Sequence, residues 1–202
     1  MTDDQTPARP ITVVATFTLK GDAAEFEQLL ADQAELMRAG EGFHLGVLAR
    51  ATASPETYVN LAWWQDSHSY LSVVRSYAFA AKAMSDLPRL ADARIDRLVP
   101  TAADGTLLPA DGAEQGVLLL APLPADETDG VEAARAALTE QLAGRDGFLA
   151  AALGGSEVRP GGHGLLSWWR DEAAAEAAAA LLADATETLV LRPVHTVSRQ
   201  PA

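Results

Sequence analysis

Cysteine is missing from this 202-residue sequence altogether. Disulfides, thiolate nucleophiles and Cys-ligated zinc or iron–sulfur centres are therefore excluded. Histidine is sparse: His44, His68, His163 and His195 are scattered, and no pair has the helical spacing of metal ligands. The sequence thus points to no metal and no bound cofactor. No glycine-rich phosphate loop follows a strand, and the GGHG run at 161–164 reads as a hairpin turn. Basic residues are also few, 15 against 28 acidic ones, for a formal charge of −13. Such a chain repels phosphate backbones and anionic bilayers, so neither nucleic acid nor a membrane is an expected partner. No apolar run approaches the roughly 20 residues a bilayer demands. MTDDQTPARP, at the start, has neither the basic nor the apolar region of a secretory leader, so a cytoplasmic address is expected.

Apolar residues make up 49% of the chain, enough for substantial cores. They are organised as a repeat. The pair Trp63-Trp64 in VNLAWWQD returns as Trp168-Trp169 in GLLSWWRD, 105 positions later. Gly42-Phe43 returns as Gly147-Phe148, and at the same offset TVVATFTLK (12–20) meets VLLLAPLPA (117–125). Each copy reads as strand, helix, strand, strand, helix, strand. Asp22 and Glu25 form a capping pattern for the first helix, whose apolar stripe runs Phe26, Leu29, Leu30, Gln33/Ala34, Met37 before Gly40 stops it. Ser67 is a plausible N-cap for the second helix, with Tyr70, Val73, Val74 and Tyr77 on one face.

That order builds a four-stranded antiparallel sheet covered by helices on one side, a ferredoxin-like module. The bare sheet faces are buried by packing together, intramolecularly because one chain carries both. The expected fold is α+β: tandem ferredoxin-like repeats forming an intrachain pseudo-dimeric α/β barrel. A tail (1–10), a first repeat (11–100), a turn-rich linker (101–115) and a second, degenerate repeat (116–202) divide the chain. It is expected to be a monomeric pseudo-dimer or a homodimer of that unit.

The copies differ where chemistry could sit. Alternation along a strand puts Tyr58, Asn60, Ala62 and Trp64 on one face, and Val59, Leu61 and Trp63 on the sheet–sheet side. Tyr70 lies on the stripe that packs onto the same sheet, so Asn60, Trp64 and Tyr70 can converge between sheet and helices. Aromatic stripes are ordinarily core, and Trp169 at the equivalent place fits packing for Trp64. Asn60 is harder to dismiss: a half-buried amide costs about 1–3 kcal/mol unless hydrogen-bonded. The second copy has Leu165 there, and Ala175 opposite Tyr70, so the framework demands neither polar group.

The pattern N-x-A-x-W-x-x-S-x-x-Y, here Asn60, Ala62, Trp64, Ser67 and Tyr70, resembles the antibiotic biosynthesis monooxygenases of the dimeric α/β-barrel superfamily. Within them it is most similar to the cofactor-free anthrone monooxygenases of aromatic polyketide pathways, over about residues 11–100. The resemblance implies oxidation of a phenolic anthrone to a quinone by O₂, the deprotonated substrate serving as its own reductant. Asn60, Trp64 and Tyr70 would be catalytic, and Tyr58, Lys82, Val14 and Val73 would line the substrate. Val14 stands where several members have Asn, and Lys82 near a family Arg. The haem-degrading branch would need a His near Ala83 and a Trp near Val73, and both are missing. A binding or cyclase-like accessory protein on the same barrel is the alternative.

Overall fold

The computed structural model describes residues 9–101, 107–109, 112–123, 131–182 and 187–199, without the side chains of 82, 84 and 131–136. The expected tail falls almost wholly outside these residues, as does much of the expected linker. Strands rich in β-branched and aliphatic residues alternate with helices in the anticipated order. In the first half β1 (Ile11–Leu19) leads into α1 (Ala23–Arg38), then β2 (Phe43–Ala51) and β3 (Thr57–Trp64) form a hairpin. Three helices follow, α2 (Ser67–Val74), α3 (Tyr77–Ser85) and α4 (Leu87–Leu90), before β4 (Ala91–Pro100). The second half holds β5 (Val117–Leu123), α5 (Val131–Ala143), β6 (Phe148–Ser156), β7 (His163–Trp169), α6 (Glu172–Ala179) and β8 (Leu189–Ser198).

The eight strands close into one antiparallel barrel, in the order β1-β3-β2-β8-β5-β7-β6-β4. Each half contributes four adjacent strands in the ferredoxin-like order, and two seams join them. The seams are unequal. β2 pairs with β8 from Leu45↔Ser198 to Ala51↔Leu191, whereas β4 meets β6 only at Leu98↔Ser156, Val99↔Gly155 and Pro100↔Gly154.

Inside the barrel Val14, Val59, Leu61 and Trp63 of the first half pack against Leu118, Leu120, Leu166 and Trp168 of the second. The rings of Trp63 and Trp168 lie 6.2 Å apart and narrow one end. Trp63 also donates from its indole N–H to the carbonyl of Leu107 at 2.6 Å, tying the chain after β4 across that end. The second tryptophan of each pair turns outward to the helices. Trp64 meets Phe43 edge-on at 5.2 Å, and Trp169 meets Phe148 likewise at 5.5 Å. The repeated glycines before those phenylalanines, Gly42 and Gly147, both have φ near +80° (78° and 79°). A Cβ on Gly42 would stand 2.6 Å from Ser69 Oγ, and one on Gly147 2.7 Å from Ala174 Cβ, so helix and turn approach too closely for a side chain.

Three details differ from the sequence expectation. Asp22 does cap α1, accepting from Glu25 N, but the cap of α2 is Asp66, which accepts from Ser69 N at 2.7 Å; Ser67 is the first helical residue. The second helix breaks at Arg75-Ser76, so its stripe does not continue, and Tyr77 is 90% exposed instead of packed. On the first strand of each copy the offset is 106, since Thr12 pairs with Trp63 and Leu118 with Trp168. A one-residue slip inverts the faces of a strand. VLLLAPL, apolar on both faces, could not reveal it.

Candidate functional site

The helix side of the first sheet carries the candidate residues, and strand register decides which share it. Asn60 is paired with Ala15 on one side and Leu48 on the other; Trp64 lies four residues along β3. Trp64, Tyr70 and Val73 pack in one cluster with Met37 and Phe43, and the Trp64 and Tyr70 rings meet edge-on at 5.9 Å. Asn60 is half-buried on the same face of β3 as Trp64. Burial, slightly offset by the Arg97 charge, holds the Tyr70 phenol above the ordinary tyrosine range. At neutral pH Tyr70 is therefore a proton donor.

The decisive feature concerns one hydrogen. Trp64 is wholly buried, and its indole N–H has no hydrogen-bond partner among the described residues. The equivalent Trp169 is equally buried, but its N–H is satisfied by Ser167 Oγ at 2.9 Å. The first half has Ala62 where the second has Ser167. A buried, unmade donor costs about 1–3 kcal/mol, and the fold has shown in its own second copy how that cost is avoided. Leu165 and Ala175, at the places of Asn60 and Tyr70, are likewise fully buried and packed in an apolar cluster.

Not every residue expected at the site belongs there. Val14 points into the barrel, on the opposite face of the sheet, because alternation gives the helix side to Val13 and Ala15. Tyr58 shares the face of Asn60 but is otherwise engaged. Its hydroxyl donates to Glu27 at 2.7 Å, its ring packs on Phe26, and the Arg50 guanidinium lies 5.3 Å from its centre. Burial foremost, then the Glu27 carboxylate, pushes its phenol up to about 12. Lys82 sits on α3, and its side chain lies outside the described residues.

Two further polar residues bury an unpartnered nitrogen. Gln33 of α1 is 4% exposed, and its Nε2 is buried without a partner. His195, from β8, pairs with Leu48, the residue opposite Asn60, and its Nε2 is also buried and unpartnered. The signal for Gln33 was visible as an amide on an otherwise apolar helix stripe. Nothing local marked His195, which reaches this row only through closure of the barrel. Among the described residues no group of three or more His, Asp or Glu is placed to hold a metal. No helix there is long and apolar enough to cross a membrane.

An antibiotic biosynthesis monooxygenase family model matches residues 10–83, which include β1, β3, α2 and all of Asn60, Trp64 and Tyr70. Deoxynogalonate monooxygenase of Streptomyces nogalater is 31% identical over 81 residues, 40% of this chain and 69% of that protein. Among solved structures, a candidate monooxygenase from Fusobacterium nucleatum aligns with a TM-score of 0.69 over 95% of both chains, at 13% identity. An anthrone oxidase-like protein aligns at 0.68 over 96% of this chain and 94% of its own, at 15% identity. These two likenesses establish the fold of the whole barrel; the first-half matches establish kinship. The chain belongs to the antibiotic biosynthesis monooxygenase family.

Proposed function

We propose that the helix face of the first sheet is the active site of a cofactor-independent monooxygenase that converts a polycyclic phenol of the anthrone type to a quinone with O₂. The observation that carries this reading is the buried, unpartnered Trp64 indole N–H, on the same strand face as the half-buried Asn60 amide, both lost or satisfied in the second half. A donor kept unmade at a buried position is suited to charge that develops on a bound molecule. A substrate enolate oxygen supplies such charge. The relative from Streptomyces nogalater is named for oxidising deoxynogalonate, a small molecule, which supports the substrate class.

The chemistry balances without an added reductant. The substrate methylene loses a proton, and the resulting carbanion, delocalised into the rings, gives its electrons to O₂ to form a C–O bond. The peroxide takes up a proton. Loss of the second methylene hydrogen with cleavage of the O–O bond then yields the carbonyl and one water. Asn60 and Trp64 donate to oxygens of the substrate and so favour the first deprotonation. Tyr70, held protonated by burial, supplies the proton to the peroxide.

Oxygen consumption by the full chain with a tricyclic anthrone tests the proposal. One O₂ is expected per substrate, unaffected by exhaustive chelation and requiring no flavin or NADPH. The rate should rise with pH while substrate ionisation limits it. Tyr70→Phe should lower kcat by about 10²-fold, the scale of one positioned proton donor, with little change in substrate binding. Quenching of tryptophan fluorescence by the anthrone without oxygen uptake would instead mark a binding protein.

A further inference from the structure

Trp63 and Trp168 narrow one end of the barrel, where a small pocket of about 150 Å³ remains beside Trp63 and Leu107, and the interior is more open toward the other. Beyond the Trp63–Trp168 plug, the interior opens into a cavity of about 250 Å³ between the two sheets. Its wall is apolar: Val14 of β1, Leu98 of β4, Leu120 and Pro122 of β5, and Leu189 of β8. The opening follows from the short seam, because β4 and β6 part company below Leu98 and Ser156. At the lip Val158 is 52% exposed. Leu98 leans over Gly164, where a Cβ would stand 2.6 Å from it, so the glycine makes room for the wall.

The charges at the rim already have partners. Arg94 pairs with Glu187 at 2.9 Å and Arg159 with Asp96 at 3.0 Å, while Asp96 also accepts from Ser156 Oγ at 2.6 Å. A charged guest would have to displace one of these pairs. A neutral one need not, and Thr16, half-buried on the barrel-facing side of β1, offers a hydroxyl at the mouth. Size narrows the class further. An apolar cavity of about 150 Å³ accepts a single benzene ring, and drug-sized ligands use pockets of roughly 300–1,000 Å³.

We propose that this barrel cavity is a second ligand site, distinct from the helix-face site and separated from it by the sheet, which takes a neutral one- or two-ring aromatic bearing a hydroxyl. Val14, on the wrong face for the oxidation site, is a wall residue of this one. The ring body fills the space above the tryptophan plug, and the hydroxyl meets Thr16 at the mouth.

The test uses 2-naphthol with the full chain. Nuclear Overhauser contacts from the naphthol ring are expected to the methyl groups of Val14, Leu98, Leu120 and Leu189. Val14→Phe, which fills the cavity, should weaken that binding by about tenfold or more in a calorimetric titration. Should Val14→Phe fail to fold, Val158→Asp, placed on the exposed lip, serves instead and should weaken binding several-fold by setting a charge beside the apolar guest. Contacts confined to Tyr70 and Val73 on the helix face, or no saturable binding, would overturn the proposal. So would unchanged affinity in both variants.

Discussion

The two halves of the barrel share one plan and divide its uses. Both bury a Trp-Trp pair, set a phenylalanine edge-on against the outer indole and close a left-handed glycine turn under a helix capped by aspartate. Around the outer tryptophan they part at three side chains. The second half places Leu165, Ser167 and Ala175 where the first has Asn60, Ala62 and Tyr70, and with them the indole N–H of Trp169 is satisfied. The second half therefore forms the same framework without the polar set that the first half retains. A homodimer could not separate these roles, because each substitution would appear in both sites at once.

The comparison can be broken or sharpened by substitution. The largest effect is expected in what the halves share. Trp168→Ala should cost about 3–5 kcal/mol in chemical denaturation, as for other large-to-small core changes. Trp63→Ala should cost more than Trp168→Ala, since it also strands the carbonyl of Leu107; equal losses would remove the distinction. Next comes Asn60→Leu, which copies the second half. It should lower turnover by about 10²–10³-fold, the range for losing one donor to developing charge, with the unfolding midpoint unchanged or raised. Full turnover in that variant would place the chemistry elsewhere.

A smaller effect is expected from Ala62→Ser, which grafts the partner of Trp169 beneath Trp64. If the free indole N–H serves the substrate, turnover should fall by about tenfold while stability rises by about 0.5–1.5 kcal/mol, the net value of one hydrogen bond. The smallest effect concerns Tyr58, which is structural in this reading. Its phenol ionises near 10 in the unfolded chain and at about 12 in the fold, so its contribution is fully present below pH 10 and lost as pH rises from 10 to about 12. Tyr58→Phe should flatten the alkaline unfolding curve in that window and leave turnover at neutral pH nearly intact.

How legible this was in the sequence depends on the kind of signal. The duplicated tryptophans and glycines announced the two-half barrel, because bulky indoles and left-handed turns tolerate few replacements. The sheet–sheet set Val59, Leu61 and Trp63 followed from alternation alone, and β3 shows it. Strand one was misaligned by a residue because VLLLAPL is apolar on both faces and carries no period. The break between α2 and α3 was hidden because Arg75-Ser76 contains neither glycine nor proline. His195 and the barrel cavity depend on which edges meet at the seams, a property of the closed object that no local pattern encodes.

The unequal seams carry one more consequence. Below the three positions where β4 meets β6, the edge of β4 over Ala91–Asp96 that turns away from β1 has no strand paired with it among the described residues. Free strand edges are templates on which further chains add. On β4 the alternation of Asp92, Arg94 and Asp96 sets a charge at every second position, which makes that edge a poor host for another strand. The charges thus guard against strand addition at the place where the seam leaves β4 open.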